Sequence, residues 1–168
     1  MTRLYLVRHG ETVDNVNQIM QGQTQGQLTE NGIAQAKDLA KKMSGMRIDA
    51  FVSSDLKRSV DTCRIVAEPH GLPVEETPLL RERDWGGFTG RFIPELKNEK
   101  WPDDVESLSD LQDRAARFLY SMKTKYDGKI ILAVGHGIIN KAIQAVHFGK
   151  TMGEITRMDN AEVRLLKL

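Results

Sequence analysis

Two histidines in this chain each close a short apolar run and are followed by glycine: Leu6-Val7-Arg8-His9-Gly10 and Ala133-Val134-Gly135-His136-Gly137. Apolar runs of this length read as buried strands, which places both imidazoles where a strand gives way to a loop. In an open parallel sheet, ligands bind in the crevice outside the carboxyl ends of the strands, and both histidines sit at that edge. The flanking glycines allow a sharp turn or a close approach of backbone to ligand. Arg58 follows the second apolar strand and falls in the first turn of a helix, so it too points to that edge. A helix N-terminus favours anions, and the guanidinium fork matches phosphate oxygens in two parallel bonds. Arg8, His9, Arg58 and His136 together make a cationic pocket suited to a phosphate dianion, in a chain whose net charge is only +1.

The elements that must hold these residues can be read from periodicity. Strands are predicted at Arg3–Val7, Ile48–Ser53, Val74–Thr77, Lys129–Val134 and Glu162–Leu166. Helices are predicted at Leu28–Met43, with Ile33, Ala36, Leu39, Ala40 and Met43 inward, and after Ser54 or Asp55, either of which can cap a stripe of Leu56, Val60, Cys63 and Ala67. Ser107, with Asp110 placed for capping, opens a helix with a buried stripe of Leu108, Leu111, Ala115, Phe118, Leu119 and Met122, and a last helix spans Ile138–Phe148. Gly10–Gln27 reads as a long polar loop whose glutamines at 18, 21, 23, 25 and 27 are solvated, the alternative being hydrogen bonds to substrate. Leu79–Glu106 is irregular and longer than ordinary connections, which marks it as functional or mobile; Trp85, Phe88, Phe92 and Trp101 within it are either its core or pocket walls. His70 reads as a solvated residue past a helix end, and His147 as helix surface or partial core. Strands alternating with helices predict an α/β fold: one domain over residues 1–168, built as a three-layer α/β/α sandwich around a mostly parallel sheet.

Composition narrows the function classes. With 24 Lys and Arg against 23 Asp and Glu, well mixed, the chain lacks the one-sided basic field of a nucleic-acid or membrane-surface protein. Cys63 is the single cysteine; it allows no internal disulfide and reads as a small core thiol, which suits a reducing compartment. No run of ~18 apolar residues is present. The expectation is a cytoplasmic protein whose partner is a small phosphorylated metabolite, not a nucleic acid or a membrane.

Five segments, in order, resemble the histidine phosphatase superfamily (phosphoglycerate mutase-like, branch 1), which includes cofactor-dependent phosphoglycerate mutases, fructose-bisphosphatases and alpha-ribazole phosphatases. They are Leu6-Val7-Arg8-His9-Gly10-Glu11-Thr12 with Asn15; Leu28-Thr29-Glu30-Asn31-Gly32 with Gln35-Ala36; Ser53-Ser54-Asp55-Leu56-Lys57-Arg58 with Thr62; Leu80-Arg81-Glu82 with Gly86 and Gly90; and Val134-Gly135-His136-Gly137. The resemblance covers most of the chain. It implies that His9 is the phosphorylated nucleophile, that Arg8, Arg58 and His136 hold the phosphoryl oxygens with Asn15 and Gly137 beside them, and that Glu82 is the proton donor. The residues alone do not choose between Glu82 and Asp84; the resemblance selects Glu82. Many members carry an aspartate before Leu-Thr, where this chain has Gln25 and its neighbours, so substrate contacts from that loop differ.

Covalent catalysis of this kind needs a neutral imidazole whose second nitrogen gives its proton to a backbone carbonyl, with fixed cations stabilising the transferring group. It needs no metal and no cofactor. A phosphoglycerate mutase would use the same residues, with 2,3-bisphosphoglycerate as cofactor, but must shield its phosphohistidine from water. Mutases resembling this chain carry larger insertions between the acid and the second histidine, whereas Arg83–Gly135 already contains a helix and a strand. The expected activity is therefore hydrolysis of a phosphate monoester. Two other readings compete: a metallohydrolase with His9, His136 and Glu82 as ligands, disfavoured because two arginines repel a divalent cation, and a phosphate-binding module without turnover.

Overall fold

Side chains alternate across each strand, and here both faces are apolar, so the sheet must be covered on both sides. The computed structural model describes residues 1–168. The elements are β1 (Arg3–Arg8), α1 (Val13–Asn17), α2 (Glu30–Met43), β2 (Ala50–Ser54), α3 (Lys57–Ala67), β3 (Val74–Thr77), α4 (Leu108–Lys125), β4 (Ile130–Gly135), α5 (Gly137–Phe148) and β5 (Val163–Lys167). Leu4, Leu6, Ile131 and Ala133 face Leu111, Phe118, Ile139 and Ile143 of α4 and α5. Val7, Phe51, Leu132 and Val134 face Leu39, Met43, Cys63 and Val66 of α2 and α3. Each of the buried Val, Leu, Ile, Met and Phe side chains among them contributes roughly 1.5–3 kcal/mol of transfer free energy. The result is the expected three-layer α/β/α arrangement. Cys63 lies in the core, and burial pushes its thiol up, far from a nucleophile's range. No helix is long and apolar enough to cross a membrane.

The sheet order is β3-β2-β4-β1-β5, parallel except for β5, which runs antiparallel to β1. Register decides the site. Arg8 pairs with Gly135 at the carboxyl ends of adjacent β1 and β4, so His9 and His136 leave the sheet side by side.

Several local expectations need correction. Helix α2 starts at Glu30 with Thr29 as its N-cap, because Leu28 is drawn into a bridge with Thr12. Ile33 and Leu108, placed in buried stripes by their spacing, are 37% and 43% exposed at the edges of those stripes. The Gly10–Gln27 loop contains α1, closed by a Thr12–Asn15 capping box. Neither Ser54 nor Asp55 caps α3; the cap residue is Leu56, without a side-chain bond. Arg81 takes both oxygens of Asp55 (2.7 and 2.6 Å), and Ser54 accepts from the Leu56 amide (3.2 Å). Gln25 supplies the cap instead: its Oε1 accepts from Lys57 N (3.0 Å) and its carbonyl from Arg58 N (3.1 Å). The glutamines are thus structural in part, and Gln21 is buried, accepting from Thr12 Oγ1 (3.0 Å). His70 is half-buried, not a free terminus residue: its Nε2 lies 3.1 Å from the Met43 carbonyl and its ring packs on Phe51.

Gly32 tests the close approach that seats α2 on the β1 loop. A Cβ there would overlap the Glu11 carbonyl oxygen, and one on Gly10 would lie 2.5 Å from the Gly32 oxygen. Helix propensity alone would make Gly32→Ala stabilising by about 1 kcal/mol. Overpacking should instead make it destabilising by about 2–3 kcal/mol, read from urea unfolding midpoints at unchanged slope; a stabilised variant contradicts the contact.

Candidate active site

His9 stands at the centre of the carboxyl edge. Its backbone is fixed by its own amide, which donates to Gly135 O (3.2 Å), and by its carbonyl, which accepts from Asn160 Nδ2 (3.1 Å) and Ala161 N (3.2 Å). Its Nδ1 lies 2.7 Å from Gly10 O. A carbonyl can only accept, so Nδ1 carries the proton and Nε2 keeps its lone pair. Burial, then the neighbouring Arg58 guanidinium, holds the imidazole well below the usual histidine range, so it is neutral at physiological pH.

A recess of about 210 Å³ opens over this ring, lined among others by Arg8, Asn15, Arg58, Glu82, Gly137 and Arg157. His136 is fully buried beside His9, its ring centroid 5.1 Å from that of His9. His136 Nε2 is within hydrogen-bond reach of Ser54 Oγ (2.9 Å) and Ser59 Oγ (3.1 Å), and burial and Arg58 also keep this ring neutral. Arg8 and Arg58 are buried. Arg58 donates to the carbonyls of Gly22 (2.7 Å) and Thr24, and Arg8 donates to Met158 O (2.8 Å). Burial lowers both guanidinium pKa values, Arg58 to about 10, which leaves them cationic at neutral pH.

Only four buried side-chain polar atoms lack a protein partner, and three of them are Arg8 Nε, Arg58 Nε and His136 Nδ1. Unpaired buried polar atoms cost about 1–3 kcal/mol each, and three of the four gather at this edge of the sheet. Asn15 Oδ1 accepts from Thr12 N (3.0 Å) and Asn160 Nδ2 (3.3 Å), which leaves the Asn15 amide nitrogen as its donor toward the recess. Gly137 opens α5, whose first amides have no intrahelical partner.

Position separates the two acids. Glu82 lines the recess, its Oε1 accepting from Arg83 N (2.8 Å) and Ile139 N (3.0 Å) and its Oε2 from Ile138 N (3.0 Å). Asp84 is exposed and closes a turn by accepting from Gly86 N (2.9 Å). No three His, Cys, Asp or Glu side chains converge anywhere in the chain, so His9, His136 and Glu82 do not assemble as a ligand set.

All seven residues singled out from the sequence meet at this edge. Four contributors escaped it. Arg157 adds a third guanidinium to the recess from the loop before β5, and its charge further lowers the Arg8 and His9 values. Asn160 braces His9 from the same loop. Arg114 of α4 donates to the carbonyls of Leu79 (3.1 Å), Arg81 (2.5 Å) and Glu82 (3.4 Å) and pairs with Glu106 (2.8 Å), pinning the segment that carries Glu82. Gln23 donates to Glu82 O (3.2 Å) from the opposite side. Each joins segments far apart in sequence; of the two serines beside His136, Ser54 lies within a quoted motif and Ser59 directly follows it.

Known proteins resemble this chain over most of its length. Residues 4–168 match the histidine phosphatase superfamily (branch 1). The chain is 34% identical to the uncharacterized phosphatase PhoE of Bacillus subtilis, covering 96% of this chain and 86% of that protein. It is 37% identical to the probable phosphoglycerate mutase GpmB of Serratia proteamaculans, over 82% of this chain and 71% of the relative. Its fold superposes on a phosphoserine phosphatase of Entamoeba histolytica, solved with 3-phosphoglyceric acid, at a TM-score of 0.88 with 25% identity, covering 98% and 90% of the two chains.

The electrostatics give a direct check on His9. Its folded-state pKa lies below the unfolded value of ~6.5, so on acidification the unfolded chain takes up a proton before the folded one does. The stability that depends on a neutral His9 is present above pH ~6.5 and is lost as pH falls below it. NMR titration of the His9 ring should show it still neutral at pH 6.5; a midpoint at or above that pH contradicts the site.

Proposed function

The chain belongs to the histidine phosphatase superfamily, branch 1, and on that premise we propose that it is a phosphomonoesterase that hydrolyses small-metabolite phosphate esters through a phosphohistidine on His9. The observation that carries this reading is the state of His9: a buried, neutral imidazole with Nδ1 tied to the Gly10 carbonyl and Nε2 left for attack, under the three guanidinium groups of Arg8, Arg58 and Arg157. Its single, buried cysteine suits a reducing compartment such as the cytoplasm.

In the first half-reaction His9 Nε2 attacks phosphorus in line with the ester oxygen. The N–P bond forms as the P–O bond breaks, and Glu82 in its acid form protonates the departing alkoxide. In the second, Glu82 as carboxylate takes a proton from water, the water oxygen attacks phosphorus, and the N–P bond breaks to release inorganic phosphate and the neutral imidazole. The charge spread over three equatorial oxygens is met by Arg8, Arg58, Asn15, His136 Nδ1 and the Gly137 amide. Fixed protein donors fill the role a metal plays elsewhere, so this scheme uses neither a metal nor an organic cofactor.

Hydrolysis is favoured over mutation because Arg83–Gly135 is spent on short 3₁₀ turns, α4 and β4, with no added segment to seal the phosphoenzyme from water. The mutase alternative, suggested by the similarity to GpmB, would need 2,3-bisphosphoglycerate to prime His9.

A panel of metabolite phosphate esters, assayed for phosphate release beside a mutase assay with 2,3-bisphosphoglycerate, separates the two. We expect phosphate release that survives a chelator and falls by more than ~10³-fold in His9→Ala. Glu82→Gln should cost about 10²–10⁴-fold on alkyl esters and far less on p-nitrophenyl phosphate, whose leaving group needs no proton. Equal losses on both would remove Glu82 as the acid, and isomerisation without phosphate release would favour the mutase.

A further inference from the structure

Beside the recess over His9 lies a second cavity of about 500 Å³, and the two share Met20, Trp85 and Ile93 as common walls. Phe88 and Trp101 form much of the rest, and Lys97 is the one charged side chain along it. The recess alone is smaller than the roughly 300–1,000 Å³ typical of small-molecule sites, and with this basin the joint space falls within that range.

The basin is built, not incidental. Residues 18–20 and 90–93 are laced together: Ile93 N donates to Gln18 O (2.8 Å), Gly90 N to Met20 O (2.8 Å) and Met20 N to Arg91 O (2.9 Å), an antiparallel pairing centred on Ile19 and Phe92 that puts Met20 and Ile93 diagonally across one face. Trp101 meets Trp85 edge to face at 5.4 Å and Phe88 at 6.2 Å. The Arg83 guanidinium lies 4.8 Å from the Trp85 ring centre and 5.2 Å from that of Trp101, and its Nε donates to Glu106 O (2.9 Å), so both indoles are held in place. Trp101 nevertheless stays 51% exposed, and a contiguous exposed apolar surface at the rim of a site marks a binding surface.

We infer that this aromatic basin receives the leaving group of the substrate, and that the preferred substrates are phosphate monoesters of apolar alkyl or aryl alcohols. The inference deepens the hydrolytic reading and rests on it. The phosphoryl group sits over His9; the P–O bond breaks, the ester oxygen stays with the organic group and takes the proton of Glu82, and that organic group lies against Met20, Ile93 and the two indoles. A second anionic group on the alcohol would find only Lys97 there, so carboxylated esters gain little from this wall.

Straight-chain monoalkyl phosphates from ethyl to octyl test this, since the leaving oxygen is chemically alike along the series. Wild-type kcat/KM should rise about three- to fourfold per added CH₂ until the basin is full. Trp101→Ala, and separately Ile93→Thr, should flatten that rise to less than twofold per carbon. A series that is turned over with kcat/KM independent of length overturns the basin while leaving the hydrolase reading intact. Calorimetry with the matching alkylphosphonates reads the basin without turnover. Affinity that climbs with chain length and flattens in Trp101→Ala upholds the basin even if no ester is hydrolysed, in which case the hydrolytic reading alone falls. Affinity indifferent to length overturns it.

Discussion

The hydrogen bond from His9 Nδ1 to the Gly10 carbonyl is the constraint on which the site depends. It assigns the proton to one ring nitrogen and the lone pair to the other, and the surrounding cations and burial keep a second proton away. A carbonyl one residue along the chain can reach the ring only if the turn is held, and Gly10 is held from two sides. Its amide donates to Thr62 Oγ1 (3.1 Å), whose hydroxyl donates in turn to Arg58 O (2.8 Å). Its α-carbon faces the backbone of Gly32 at the start of α2, with no room for a side chain on either residue. The two helices covering one face of the sheet therefore set the tautomer of the histidine at its edge.

Buried cations without a buried carboxylate partner are costly, since desolvation penalises the charged form. The chain offsets that cost with dipoles: Arg58 bonds the carbonyls of Gly22 and Thr24, and Arg8 that of Met158, while some of their donor capacity stays unused. These bonds also tie the loop of residues 22–25, and with it Gln25 as the cap of α3, to the site. The one carboxylate in the recess, Glu82, is held by three backbone amides, two of them in the first turn of α5, so it is kept apart from the arginines by fixed donors of its own. Fixed cations and one carboxylate thus coexist within one recess, with apolar walls beside it.

What could be read from the sequence follows the range of the interaction that encodes it. Strands with both faces apolar, the helix stripes, and the two strand-ending histidines are local patterns, and β1, β4 and α5 lie where periodicity puts them. Arg58 was legible because a first-turn position fixes where a side chain points. The caps failed where a distant group outcompeted the local one: Asp55 went to Arg81, and Gln25 of the glutamine-rich loop took over the start of α3. Arg157, Asn160 and Arg114 reach the site from segments far from the motifs, and nothing in their own neighbourhoods distinguishes them from solvated residues. The aromatic residues of the irregular segment were readable as core or as walls, and the structure makes Phe88 mostly the first and Trp101 the second.

The isomer of the phosphohistidine tests the central claim most directly. The protein is quenched during turnover of a phosphate ester, and phosphorus NMR with peptide mapping locates the phosphoryl group. The tautomer fixed by Gly10 predicts phosphorus on Nε2 of His9 and on no other nitrogen. Phosphorus on Nδ1, on another residue, or on none while hydrolysis proceeds would contradict it.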